Sequence, residues 1–285
     1  MSDTLSMHNI SYLKKRLKIN ADQLVYESDV IRSLNPDERE DILASVLKNI
    51  CGIITQIREK QNDASFSGGP YPSAYNGPLK WDASHNGRYT DTDQHEKNIA
   101  KGLFNLCSQK GYRGNWMRLH DIPNSGIRIL TDIGKVVDYE IPLFRKGHRN
   151  IDLIAVKKGN GKKGVNDNLL IVELKKNTSD ESLLRCVLEA YTYSALVDRR
   201  RLKESYNVSQ EAQIFVCPLI FVKSAAYRDL VTMIKENNSK LKKIINTLEQ
   251  MDGEIKMSIA IMDADRPPRF PQDCDDHKFK EEWLT

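Results

Sequence analysis

Three charged side chains stand inside runs that are otherwise apolar. Asp152 interrupts Ile151-Asp152-Leu153-Ile154-Ala155-Val156, and Glu173 and Lys175 interrupt the run that starts at Leu169. The interior of a strand with apolar neighbours is a poor place for charge, because an uncompensated buried ion costs several kcal/mol. Two carboxylates brought close together repel, and a divalent cation is the usual remedy. The strand period of two puts Glu173 and Lys175 on one face and Leu174 on the other. Asp152 shares its face with Ile154 and Val156 by the same rule. If the two runs pair as a hairpin across the Lys/Gly-rich turn at 157–164, Asp152 and Glu173 meet near one end of it.

The elements that must position these residues run from Val136 to Val197. The stretch reads VVDYEIPLF, a turn, RNIDLIAVKK, a second turn, NLLIVELKK, then ESLLRCVLEAYTYSALV: three strands and a helix. In that helix Leu184, Val187, Leu188, Tyr191 and Ala195 form the apolar stripe. Arg185, Glu189 and Tyr193 share the other side at i, i+4 spacing and read as a surface pair with its neighbour. Ahead of the strands, a helix from Asp93 to about Lys110 carries Ile99, Leu103 and Cys107 on one stripe. Glu96 lies on the same stripe. Asp93-x-x-Glu96 has the form of a capping box, which makes Glu96 structural; its inward direction alternatively makes it a site residue. The stretch from Trp116 to Asp132 offers only a strand near Gly126–Leu130. After the central helix, Arg199-Arg200-Arg201 and Lys203 read either as a solvated helix end or as a phosphate contact. Ala212–Val222 reads as a strand buried on both faces, with Pro218 arguing for an edge or a bulge. Residues 225–250 read as helical and basic, and Lys256–Met262 as a last strand.

The order Glu140-Ile-Pro, then Asp152-Leu-Ile-Ala, then Glu173-Leu-Lys175, then an amphipathic helix, resembles the PD-(D/E)XK nuclease superfamily over roughly residues 93–263. The resemblance implies a restriction-endonuclease-like α/β core, a mixed sheet of about five strands flanked by helices. It implies a metal-dependent nuclease that hydrolyses phosphodiester bonds, with DNA ahead of RNA as substrate. Asp152, Glu173 and the carbonyl of Leu174 are then the ligands of Mg²⁺, with Mn²⁺ as a substitute. Lys175 acts on the attacking water or on developing charge, and Glu140 and Glu96 are the further acidic candidates. Related nucleases often carry a Gln near the start of the helix; here Arg185 or Glu189 stands at that side instead.

The chain has 285 residues, a formal net charge of +4 and 40% hydrophobic residues, enough for a sizeable core. The charge permits nucleic-acid binding without demanding it. Five scattered cysteines, without paired spacing, argue for free thiols in a reducing, cytoplasmic setting. No apolar run is long enough to span a bilayer, which argues against a membrane partner. Residues 1–60 read as a small helical region. Asn35 is a good N-cap, followed by Pro36 at the first helical position. Leu43, Val46, Ile50, Ile53 and Ile57 then form a seam, either packed on the main domain or serving as a homodimer contact. Residues 61–92 read as a Gly/Pro/Tyr-rich linker, in which Tyr71, Tyr75 and Trp81 could stack on bases, and 264–285 as a tail. Two other functions compete: a nuclease-fold module that binds nucleic acid without cutting it, and an oligomeric scaffold in which the Glu173–Lys175 pair is a salt bridge.

Overall fold

The computed structural model describes residues 3–20, 22–63, 65–66, 69, 96, 99–100, 103–104, 107, 119–144, 149–159, 167–176, 179–236 and 239–262. The aromatic candidates Tyr71, Tyr75 and Trp81, the cap candidate Asp93, the tip of the Lys/Gly-rich turn and the 264–285 tail lie outside these residues.

Among the described residues seven strands make one mixed sheet: β1 (Ile129–Leu130), β2 (Lys135–Pro142), β3 (Asn150–Lys157), β4 (Asn168–Leu174), β5 (Gln213–Phe221), β6 (Ile255–Met257) and β7 (Ile259–Met262). Their order is β1-β7-β5-β4-β3-β2, with β6 beside β5. The expected α/β class is therefore present, with two very short strands beyond the five expected. Strands β2, β3 and β4 are antiparallel, as short turns allow; from β4 through β5 to β7 and β1 the pairing is parallel. Parallel neighbours need long crossovers. Between β4 and β5 these are α5 (Leu183–Leu196) and α6 (Arg199–Ser205); between β5 and β6 they are α7 (Ala225–Lys235) and α8 (Lys240–Asp252).

The alternation of side chains divides the core in two. Leu153, Ala155, Leu170, Val172, Leu174, Cys217, Leu219 and Phe221 face one way and pack with Ile99, Leu103 and Cys107. Ile154, Val156, Leu169, Ile171, Ile214, Val216 and Ile220 face the other way, toward α5 and the N-terminal helices. Helix α5 lies inside that second layer, with 12 of its residues buried, so it has no solvated side to offer.

Pro218 is neither at an edge nor in a bulge, contrary to the sequence reading. It sits in the middle of β5, opposite Glu173. Lys175 N donates to Leu219 O, and Ser258 N to Val216 O. Main-chain groups alternate sides along a strand, so position 218 turns its missing N–H away from β4. It meets the gap between β6, which pairs 214–216, and β7, which pairs 219–221. The proline thus falls where no ladder bond is required.

The N-terminal region comprises α1 (Asp3–Arg16), α2 (Asp29–Arg32), α3 (Pro36–Lys48) and α4 (Ile50–Gln61). Asn35 caps α3 as expected, accepting from Asp37 N. The seam Leu43, Val46, Ile50, Ile53 and Ile57 is buried in the chain's own core rather than presented outward. Its helix is also broken at Asn49, so the seam is split between two helices. The Arg199–Lys203 cluster starts a helix instead of ending one. Its members bond within the chain: Arg199 to Asp252 and Glu254, Arg200 to Glu204, Arg201 to Asp198, and Lys203 to Gln210 O. These pairings favour a structural role over phosphate contact.

Ile50→Asp buries an unpaired charge in this core and should destabilise the protein by about 3 kcal/mol or more. The loss should appear as a lower denaturant midpoint that does not depend on protein concentration. A concentration-dependent midpoint, with a stable folded variant, would put the seam between two copies instead.

Candidate active site

The β2–β3–β4 register sets three carboxylates in a row. Leu153 pairs with Val172, so Asp152 stands opposite Glu173 on the next strand. Tyr139 pairs with Leu153 and Ile141 with Ile151, so Glu140 stands opposite Asp152 on the other side. The expectation that Asp152 and Glu173 share one end and one face of a hairpin is met. Glu140 adopts φ 53°, a left-handed conformation that costs a non-glycine residue on the order of 1 kcal/mol or more. Its carboxylate accepts from Asn150 Nδ2 at 3.0 Å. Asp152 Oδ2 accepts from Leu174 N at 2.7 Å. A strand residue's N–H and C=O point to the same neighbour, so the Leu174 carbonyl belongs to the β3 side as well.

Glu96 comes to this place from a helical segment on the opposite face of the sheet. Its Oε1 accepts from Lys176 N at 3.2 Å, and its Oε2 is 4.0 Å from Lys175 Nζ. Of the two readings of Glu96, the inward one describes its contacts. All five acidic and basic candidates, Glu96, Glu140, Asp152, Glu173 and Lys175, therefore converge at the end of β3 and β4.

Lys175 follows the last residue of β4 and is 4% exposed. Its ammonium has three protons, and three carboxylates surround it: Glu173 Oε1 at 2.7 Å, Glu189 Oε2 at 3.0 Å and Glu181 Oε2 at 3.1 Å. Glu189 is held from behind, accepting from Tyr193 OH at 3.0 Å. Arg185 Nε reaches Glu181 Oε1 at 3.0 Å and Glu189 Oε2 at 3.9 Å. Arg185 and Glu189 are thus inside the protein, and the surface pair expected of them is wrong. Since α5 is covered on all sides, a polar stripe on it has to be satisfied internally. Glu181, Arg185, Glu189 and Tyr193 recur every four residues. Glu181 was missed because it stands one residue before the helix N-cap, Ser182, outside the periodic stretch.

The ionisation of the site follows from burial and this charge pattern. Burial alone would release the Lys175 proton, but Glu173, Glu189, Glu96 and Glu181 outweigh it and hold the ammonium protonated far above neutral pH. Glu189 is likewise buried, yet Lys175, Arg185 and Tyr193 keep its carboxyl below its ordinary range. Asp152 goes the other way. Burial raises its pKa well above the ordinary value, with the charges of Glu96 and Glu140 adding to the rise against Lys175 and the Leu174 N–H. Glu173 is raised by burial, by Asp152 and by Glu189, against Lys175.

These observations bear on whether a metal fits. Glu173 Oε2 is buried with no hydrogen-bond partner, as are Glu181 Oε2, Glu189 Oε2 and Arg185 Nε, which meet their neighbours at ion-pair distance only. Among the described residues, four carboxylates (Glu96, Glu173, Glu181 and Glu189) lie within 4.0 Å of the two cations Lys175 and Arg185. Among the described residues no group of three or more His, Cys, Asp and Glu side chains is arranged to hold an ion by itself. Mg²⁺ does not require one, because it is commonly held by one or two carboxylates with waters and substrate phosphate completing the shell. Asp152 and Glu173, opposite each other on β3 and β4, are two carboxylates of the number such a site uses. Comparison with protein-family models, with curated proteins and with solved structures brings no match to this chain.

Two outcomes follow for stability. Lys175→Ala would leave Glu173, Glu181 and Glu189 facing one another without their shared cation, and should cost about 3–5 kcal/mol in a denaturant titration. Asp152→Asn should act in the opposite sense. An acid whose folded pKa lies above its unfolded value stabilises the fold when protonated, and that stability is lost as pH rises from about 4 toward the folded pKa. In EDTA, Asp152→Asn should therefore melt higher than the native protein at pH 7, and the gap should close as pH approaches 4. A gap that is absent at pH 7, or constant with pH, would show that Asp152 carries no such penalty.

Proposed function

We propose that this chain is a metal-dependent nuclease of the PD-(D/E)XK type, hydrolysing phosphodiester bonds with Mg²⁺ or Mn²⁺, and with DNA ahead of RNA as substrate. The observation that carries the reading is the cross-strand pair Asp152–Glu173, both with raised pKa, two residues from a lysine held protonated. The sequence order of these residues, the strands that bear them and the helix that follows support the same assignment. The free cysteines at 51, 107, 186 and 217 suit a reducing, cytoplasmic setting. No helix of the described residues is long and apolar enough to cross a membrane.

Asp152 and Glu173, with the Leu174 carbonyl, would hold the ion. Bound there, it neutralises charge on the phosphate and acidifies a water, the two contributions that phosphodiester hydrolysis needs most. Lys175 is protonated at working pH, so it serves as a hydrogen-bond donor and a positive charge, not as the general base. Its ammonium lies within ion-pair distance of Glu173, Glu189 and Glu181. With Glu173 shared between Lys175 and an ion, Lys175 would offer an ammonium N–H to the reacting phosphate or water. Glu96 and Glu140 stand at the margin of the pair, where they can orient solvent on its approach to phosphorus.

The test is incubation of the purified protein with single- and double-stranded DNA and RNA in Mg²⁺, Mn²⁺ and EDTA. Cleavage should occur with either ion and stop in EDTA. Asp152→Asn should remain folded, lose Mg²⁺ binding and lose cleavage by about a hundredfold or more. Mg²⁺-dependent binding of nucleic acid with no cut products would replace this reading with that of an inactive binding module. Cleavage by Asp152→Asn at the native rate would remove the metal pair from the reaction.

A further inference from the structure

The segment 24–32, between α1 and α3, touches the polar stripe of α5 at each of its turns. Leu24 begins a single 3-10 turn at Val25–Glu27, and α2 follows at Asp29–Arg32. The Tyr26 carbonyl accepts from Arg185 Nη1 at 2.8 Å, and its ring lies under the same guanidinium at 5.8 Å. The Tyr26 ring meets Tyr193 edge to face at 5.9 Å, with the two hydroxyls 3.4 Å apart. Glu27 is paired with Arg149, the neighbour of the Asn150 that holds Glu140. At the far end, the Arg32 carbonyl accepts from Ser182 N at 2.6 Å, and Ser182 donates its hydroxyl to the Ile31 carbonyl. Ser182 is the N-cap of α5, so residues 31–32 fix where that helix starts, and with it Glu181.

We infer that residues 24–32 form a positioning strap for the reaction centre, acting through Arg185 on the Glu181–Lys175–Glu189 cluster. The inference rests on the nuclease reading for its kinetic consequence, though not for its geometry. Arg185 is the link. Its Nη1 donates to Tyr26 O on the strap, and its Nε lies 3.0 Å from Glu181, which in turn touches Lys175. Without the strap contact the guanidinium keeps its ion pairs with Glu181 and Glu189 but loses its anchor outside the cluster, and the three can shift together around the ammonium. Lys175 then loses its defined direction toward the Asp152–Glu173 pair. Arg185 and Tyr26 touch neither metal nor substrate in this scheme, and they are positioning residues. A chain of packed and hydrogen-bonded side chains of this kind transmits displacement only if the variants move the last member, which is what must be measured.

The experiment uses the full chain with Arg185→Gln, Arg185→Lys and Tyr26→Phe. All are assayed at a temperature where each is folded by circular dichroism. Arg185→Gln should lower kcat by about ten- to a hundredfold through misplacement of Lys175, with KM and the Mg²⁺ dissociation constant unchanged. Arg185→Lys, which keeps the charge, should recover part of the loss. Tyr26→Phe, which keeps ring and carbonyl, should lose least. A merely structural role would lower Tm and leave kcat per folded molecule at the native value, and that result overturns the proposal. The second readout is the Lys175 ammonium resonance in metal-free protein labelled with ¹⁵N-lysine and assigned by its loss in Lys175→Arg. Held by three carboxylates, it should be sharp and slow to exchange in native protein and Tyr26→Phe, and broadened or shifted in Arg185→Gln. An unchanged resonance in Arg185→Gln sinks the strap inference whatever the native protein cleaves. Absence of cleavage by the native protein, with the resonance behaving as stated, sinks the nuclease reading alone.

Discussion

The arrangement depends on one buried ammonium. Lys175 lies between a sheet and a helix, in a place where a bare cation would cost several kcal/mol. Three carboxylates lie 2.7–3.1 Å from it, and each comes from a different part of the chain: Glu173 from β4, Glu181 from the loop before α5, and Glu189 from the second turn of that helix. The cluster therefore ties the end of β4 to the start of α5. Arg185 and Tyr193 complete it from the helix side. Any rotation of α5 about its axis, or slip of β4 by one residue, would separate the charges. A slip would also send Glu173 and Lys175 into the apolar layer on the other face.

The change of pairing within the sheet explains why the acids gather where they do. Antiparallel neighbours place residues directly opposite one another, which sets Glu140, Asp152 and Glu173 in line across β2, β3 and β4. The parallel pair β4–β5 requires a crossover, and α5 is that crossover, so its polar stripe comes down beside the end of β4. The site thus stands where a hairpin hands over to a crossover unit. Pro218, opposite Glu173, marks the same level in β5, where the ladder toward β6 and β7 is interrupted.

Much of this was legible from local pattern. The period of two predicted the shared face of Asp152 and Glu173, and the apolar runs predicted β2 through β5 and α5. What failed did so for reasons of environment. The i, i+4 spacing of Arg185 and Glu189 is the same whether a helix is solvated or buried. Only the packing of the N-terminal helices, which cover that side, decides it. The seam of Leu43 to Ile57 has equal periodicity for an interface and for a core, and the break at Asn49 leaves little trace in a hydrophobic pattern. The rule for continuous ladders puts Pro218 at an edge or a bulge, and the gap between β6 and β7 is a tertiary fact. Glu140 was legible as an acid in a strand, but its left-handed backbone was not, because no glycine or asparagine marks the position.

The two halves of the site differ in how their charges are met. Behind β4, Lys175 and Arg185 face Glu173, Glu181 and Glu189, three negative charges against two positive ones. In front, Asp152 lies near Glu140 and Glu96, and Lys175 reaches this group at 4.0 Å from Glu96. The back half is close to balanced and can be rigid in the absence of any ligand. In the front half, Asp152 is the carboxyl that burial and its acidic neighbours disfavour as an ion. Glu173 belongs to both halves, with Oε1 2.7 Å from Lys175 and Oε2, like that of Glu181 and Glu189, without a hydrogen-bond partner. Under the proposed reading a cation would attach at Oε2 without dismantling the cluster behind it. The structural half can then persist while the charge of the other half changes.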